Sequence, residues 1–99
     1  MSADTANINT REYWDARFAS GDWELKDGRS QTAGFARAQI PRFGIPDDFA
    51  GTLVDFGCGL GDSFPLYRRQ FPRARLVGVE ISESAVASCQ SRYGGLAEF

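Results

Sequence analysis

Three glycines crowd into the stretch Asp55-Phe-Gly57-Cys-Gly59-Leu-Gly61-Asp62, and nineteen residues after Gly61 stands an acid, Glu80. Glycine in a tight strand-to-helix turn permits positive φ. It also removes the Cβ that would hold a ligand away from the backbone. A carboxylate at the end of the next strand can accept hydrogen bonds from both hydroxyls of a ribose, at the sheet edge where α/β folds bind ligands. The glycines alone fit a plain strand-to-helix turn as well. The acid at that distance argues for a site.

Two adenosine cofactors suit such a site, a nicotinamide dinucleotide and S-adenosyl-L-methionine. The dinucleotide pattern G-x-G-x-x-G/A needs Gly or Ala at position 62, where this chain has Asp62. An acid there suits a helix dipole but repels a pyrophosphate seeking the same helix N-terminus. S-adenosylmethionine has no phosphate and carries a sulfonium and an ammonium, so Asp55 and Asp62 are no obstacle to it. The spacing favours the methyl donor.

Other chemistry is scarce. The chain has no histidine, which removes every Ser-His or Cys-His mechanism and denies zinc its commonest ligand set. Cys58 and Cys89 form neither a disulfide framework nor a metal-ligand pattern and read as small buried residues. No catalytic residue and no metal site is nominated.

The elements that must position the loop follow from local signals. The first few residues are polar and expected to fray. Thr10 is suited to cap a helix carrying Tyr13, Trp14, Arg17 and Phe18, which Ser20-Gly21-Asp22 ends. Residues 23–30 read as a loop punctuated by Gly28, and residues 31–40 as a helix with Phe35, Ala36 and Ile40 in register and Pro41 as its stop. Thr52-Leu-Val-Asp-Phe56 is a β-rich run of the kind buried on both faces. Asp62 is placed to cap a helix through Phe71, with Pro65 tolerated in its first turn and Pro72 after it. Arg75 to Glu80 is a second strand, and Ser82 opens a helix that turns Ala85, Val86, Cys89 and Tyr93 inward. Strand, helix, strand, helix predicts a βαβ unit with a parallel sheet and a right-handed crossover. Leu96 to Phe99 reads as the start of a third strand.

The run Leu53 to Asp62, with Arg75-Leu-Val-Gly-Val-Glu-Ile-Ser82, resembles motif I and the acidic motif of class I S-adenosylmethionine-dependent methyltransferases. The resemblance covers Leu53 to Phe99. It implies that Gly57, Gly59 and Gly61 line the methionine moiety, Asp55 reaches its amino group, Glu80 holds the ribose and Ile81 packs on adenine. Tyr13-Trp-Asp-Ala-Arg-Phe18 and Gly21-Asp-Trp23 are similar to the leading segment of thiopurine-type and other small-molecule methyltransferases. There a helix and loop lie over the cofactor, which places Trp14 and Trp23 near the sulfonium, a cation that aromatic faces attract. The competing reading is that Trp14 and Phe18 merely anchor a helix on the sheet. Arg68 and Arg69 read as a solvated helix face.

The resulting expectation is an α/β chain with a Rossmann-like parallel sheet: N-terminal helices over residues 1–50, then a cofactor-binding βαβα portion over 51–99, truncated at the start of the third strand. The reaction implied is methyl transfer to a small-molecule acceptor, with any general base in a segment after the fourth strand. The alternatives are a non-catalytic cofactor-binding or interaction module, and a nicotinamide or flavin oxidoreductase. A net charge of -2 offers no basic field for nucleic acid, and no apolar run suits a membrane span. Without a signal-peptide pattern the chain reads as cytoplasmic. The strand at Thr52–Phe56, central in the family fold, is expected here to leave an apolar edge open to self-association.

Overall fold

Thr10 opens the first helix: its hydroxyl accepts from the Tyr13 N–H at 3.1 Å, and α1 runs Arg11–Ala19. The computed structural model describes residues 10–99, so the polar stretch expected to fray lies outside the described residues. A short turn of helix, α2 (Asp22–Leu25), and a longer helix, α3 (Gly28–Gln39), follow, with a 3-10 turn at Ile40–Arg42. Then come β1 (Thr52–Phe56), α4 (Phe64–Gln70), β2 (Arg75–Val79) and α5 (Glu83–Tyr93). The two strands pair in parallel, from Thr52 opposite Arg75 to Phe56 opposite Val79. The class is α/β with a small parallel sheet.

The last residues extend the sheet on the far side of β2. Glu98 bridges Val77 in parallel, its N–H donating to Leu76 O at 2.9 Å and its carbonyl accepting from Gly78 N at 2.8 Å. The other edge, along β1, pairs with no strand among the described residues.

Two clusters hold the layers together. Phe64, Phe71 and Leu76 are each 1% exposed and pack with Ala36 and Ile40 of the α3 region. Side chains of that size contribute about 1.5–3 kcal/mol each when fully buried. A smaller cluster joins Phe18 of α1, Leu60 of the glycine loop and Ala85 of α5, with Trp14 and Trp23 against it. This second cluster puts the N-terminal segment on the loop.

Several expectations fail for identifiable reasons. Residues 23–30 are mostly helical, because Gly21 (φ +80°) and Asp27 (φ +59°) turn the chain between helices instead of ending helicity. Gly28 is no loop punctuation: the Trp23 indole lies where its Cβ would project. Phe35 is 69% exposed while Ala36 and Ile40 are buried, so the face turned inward excludes it. Asp62 does not cap α4; Ser63 stands at the cap position without a side-chain bond, and Asp62 is drawn off by Arg29 and Tyr93. β1 alternates in burial: Leu53 packs toward the larger cluster, while Val54 and Phe56 are 47% and 79% exposed. Arg68 is no solvated residue, since it donates to the carbonyls of Phe71, Pro72, Ala74 and Leu96. No described helix is long and apolar enough to cross a membrane.

Candidate functional site

The turn from β1 into α4 does what its glycines require. Gly57, Gly59 and Gly61 have φ of +74°, +57° and +81°, a region open to glycine and strained for other residues. The loop then folds back on β2. The N–H groups of Gly57 and Cys58 both donate to Val79 O, at 2.7 and 3.2 Å, and Gly61 N donates to Cys58 O at 3.0 Å.

Glu80, the first residue beyond β2, stands against this loop. Its Oε1 accepts from Gly59 N at 2.8 Å and its Oε2 from Ser82 N at 3.0 Å. Each oxygen has two lone pairs, so one acceptor position on each remains for a ligand. Ser82, fully buried, caps α5 through its hydroxyl to Ala85 N at 3.1 Å. The acid is thus held in place by backbone donors from both sides.

A cavity of about 570 Å³ opens beside this acid. Its floor is the loop from Gly57 to Leu60 and the strand end Val79-Glu80-Ile81, and its roof is Trp14, Phe18 and Trp23, with Thr32 from α3. The roof rings pack on one another: Trp14 and Phe18 are stacked at 5.8 Å between centroids, and Phe18 meets Trp23 edge-on at 5.5 Å. The volume is that of an ordinary small-molecule site with apolar walls and few polar groups.

Six of the eight residues singled out from the sequence therefore meet in one cavity: Trp14, Trp23, Gly57, Gly59, Glu80 and Ile81. The other two sit elsewhere. Gly61 is buried behind the loop, where an added Cβ would come within 3.0 Å of Cys89 Sγ and of the Tyr93 ring. Asp55 lines an adjoining concavity of about 410 Å³ that shares Trp23, Thr32, Gly57 and Cys58 with the first. There the Tyr67 hydroxyl donates to Asp55 Oδ2 at 3.3 Å. Burial holds the Asp55 carboxyl above the usual carboxylate range, an effect that the Tyr67 bond opposes and nearby Glu80 adds to. Burial together with the Asp55 charge pushes Tyr67 up to about 12.

Both thiols flank the same loop. Cys89 Sγ donates to Gly59 O at 3.2 Å, and Cys58 Sγ lies 3.9 Å from that oxygen. Hydrogen bonding with Cys89, then burial, hold the Cys58 thiol well above its ordinary range. Neither is bridged. Among the described residues no cluster of acidic, cysteine or histidine side chains could hold a metal ion.

Sequence reasoning missed Thr32, which lines both concavities, and Tyr67, which lines the second. Thr32 and Tyr67 lie on helices whose local pattern says nothing about a sheet edge.

What these features define is a parallel α/β turn with a glycine loop, a backbone-held acid and an aromatic roof over one small-molecule cavity. Part of the chain is similar to curated methyltransferases. The chain is 37% identical over 67 residues to the trans-aconitate 2-methyltransferase of Variovorax paradoxus (strain S110), across 68% of this chain and 24% of the relative. It is 50% identical over 40 residues to the trans-aconitate 2-methyltransferase of Yersinia pestis (strain Pestoides F), across 40% of this chain and 16% of the relative. The matched stretch spans about a quarter or less of these curated relatives. No family model matches the chain.

Proposed function

We propose that this chain forms the S-adenosylmethionine-binding part of a class I, Rossmann-like methyltransferase, with residues 51–99 as the cofactor-binding portion and residues 1–50 as its cap. One observation carries the reading: a carboxylate pinned on the glycine-loop backbone opens, with free acceptor positions, into a cavity roofed by aromatic rings. In this reading Glu80 accepts from the ribose hydroxyls, Ile81 lies on adenine, and Trp14 or Trp23 faces the sulfonium. Gly57 and Gly59 keep the loop within reach of the methionine chain, and Asp55, across the loop, attracts its ammonium. The cofactor supplies an activated methyl on sulfur. The protein's part is to orient that methyl and exclude water around it.

The loop's own hydrogen bonds favour this cofactor over a dinucleotide. A pyrophosphate needs free N–H groups at such a turn, and four of this turn's, those of Gly57, Cys58, Gly59 and Gly61, are already engaged by Val79 O, Glu80 and Cys58 O, which leaves it fewer donors. The charge of Asp62 decides less than its position suggests, because Arg29 offsets it at 2.7 Å. The acceptor in this reading is a small carboxylic acid of the trans-aconitate kind, as the names of the relatives indicate.

Titration calorimetry with S-adenosylmethionine, S-adenosylhomocysteine and a nicotinamide dinucleotide tests the proposal. Binding of the first two and not the third is expected. Preference for the dinucleotide overturns it.

A further inference from the structure

Helix α1 carries two of the three roof rings, yet it is held lightly. Its one buried residue is Phe18, and it packs chiefly on α5 and α2. The Phe18 ring rests on the glycine loop, where its Cζ lies 3.4 Å from the position a Cβ on Gly59 would take. Arg17 spends its charge inside the N-terminal segment, on Asp22 at 3.2 Å and over the Trp23 ring at 5.6 Å. Among the described residues, the remaining polar attachment of α1 to the sheet half is Asp15. Its Oδ1 accepts from Ser82 Oγ at 2.9 Å and from Ser84 N at 2.8 Å, at the first turn of α5.

The position of that attachment matters. Asp15 occupies a helix N-terminus, where unpaired N–H groups and the helix dipole both favour a carboxylate. The Ser84 N–H and then the Ser82 hydroxyl hold its carboxyl below the ordinary value, so the attachment is charged at neutral pH. Ser82, the residue it grips, donates its own N–H to Glu80 Oε2, and Glu80 Oε1 in turn receives Gly59 N. A continuous chain of hydrogen bonds therefore runs from the roof helix, through the buried cap serine, to the acid and loop that form the cavity floor.

We propose that Asp15 is a positioning residue, a latch that holds the aromatic roof down on the glycine loop and so sets how long an adenosine ligand stays bound. The ligand half of this statement rests on the cofactor reading above; the latch itself does not. Both bonds land on one oxygen, so an amide at position 15 can keep them and a methyl cannot. Asp15→Asn is therefore the conservative variant and Asp15→Ala the disruptive one.

The experiment uses the 99-residue chain in two arms. Amide hydrogen exchange is followed at α1 and, as control, at β1. In Asp15→Ala the α1 amides should exchange about tenfold faster than in the parent, the scale of losing hydrogen bonds to a charged group. The β1 amides should be unchanged, and Asp15→Asn should stay near the parent. Stopped-flow tryptophan fluorescence then reads S-adenosylmethionine dissociation, which should quicken about tenfold in Asp15→Ala and little in Asp15→Asn. Unchanged α1 protection in Asp15→Ala overturns the latch, as does loss of β1 protection, which would make Asp15 a general folding residue. An unchanged dissociation rate overturns its role in ligand residence. Failure of the parent to bind S-adenosylmethionine overturns the cofactor reading and the residence claim, while the exchange arm still decides the latch.

Discussion

The two halves of the molecule are held by different means. From β1 to α5 the site is fixed by backbone: strand pairing, the loop N–H groups on Val79 O, and Glu80 between Gly59 N and Ser82 N. The N-terminal helices are attached by side chains: Asp15 on α5, Arg29 on Asp62, the Trp14–Phe18–Trp23 rings on Leu60 and Ala85, and Ala36 and Ile40 of the α3 region in the larger core cluster. Backbone fixation makes a rigid floor. Side-chain fixation of α1 and α2 makes a roof whose contacts can be removed one at a time by substitution.

The sharpest way to break the floor is at Gly61. Gly61→Val forces a β-branched residue to φ +81° and drives its Cβ into Cys89 and Tyr93. Strain and overpacking together should cost about 3 kcal/mol or more, read as a fall in the denaturation midpoint. Gly57→Ala, at φ +74° with nothing within 4 Å of the added Cβ, should cost about 1 kcal/mol, the strain alone. Equal losses at the two positions would mean that packing behind the loop adds nothing to its geometry.

Next comes Glu80→Ala, which should weaken S-adenosylmethionine binding by about 1.5–3 kcal/mol, as for hydrogen bonds to a charged group. It should also loosen the loop, because Gly59 N and Ser82 N lose their acceptor. Calorimetry separates the two effects: a dissociation constant equal to the parent's would remove Glu80 from the ligand site even if stability fell.

The roof should respond more mildly. Arg29→Met removes the 2.7 Å partner of Asp62, whose side chain is 9% exposed and keeps only the Tyr93 hydroxyl at 2.6 Å. The pair lies between a surface ion pair and a buried one, so a loss of about 1–2 kcal/mol is expected. Amide exchange at α3 should quicken while β1 stays protected. If both halves loosen together, the division into rigid floor and releasable roof is wrong.

The same division explains what the sequence made legible. The strands, the glycine turn, the Ser82 cap and the Thr10 cap follow from near-neighbour rules, and each appears within a residue or two of its expected place. Glu80 was readable because strand length fixes where the acid emerges. What stayed hidden depended on contacts far apart in the chain. Arg29 meets Asp62, and so a residue suited to capping a helix is used instead to hold α3. The helix at Gly28–Gln39 begins earlier than its periodicity suggests because Gly28 fits beneath Trp23. Phe35 carries the right residue type and still faces outward, since nothing in a local pattern states which neighbours a helix will have.

The smallest effect expected is also the most specific to the floor's edge, where Asp55 faces Tyr67. Burial raises the Asp55 carboxyl, the Tyr67 hydroxyl opposes that by donating to the ionised form, and Glu80 adds repulsion. Tyr67→Phe removes the opposing donor, so the Asp55 midpoint should move further up, measured by carbon NMR of the carboxyl. The sign for stability follows from a raised folded-state pKa. The contribution is fully present below the unfolded carboxylate pKa and is lost as pH rises through the folded value. In the phenylalanine variant that loss should extend to higher pH. If Asp55 attracts the ammonium of S-adenosylmethionine, affinity should fall as pH drops through its midpoint, and in Tyr67→Phe the fall should begin at higher pH. A binding profile that ignores Tyr67 while the Asp55 midpoint moves would place Asp55 outside the ligand's reach, leaving Glu80 as the acid that faces it.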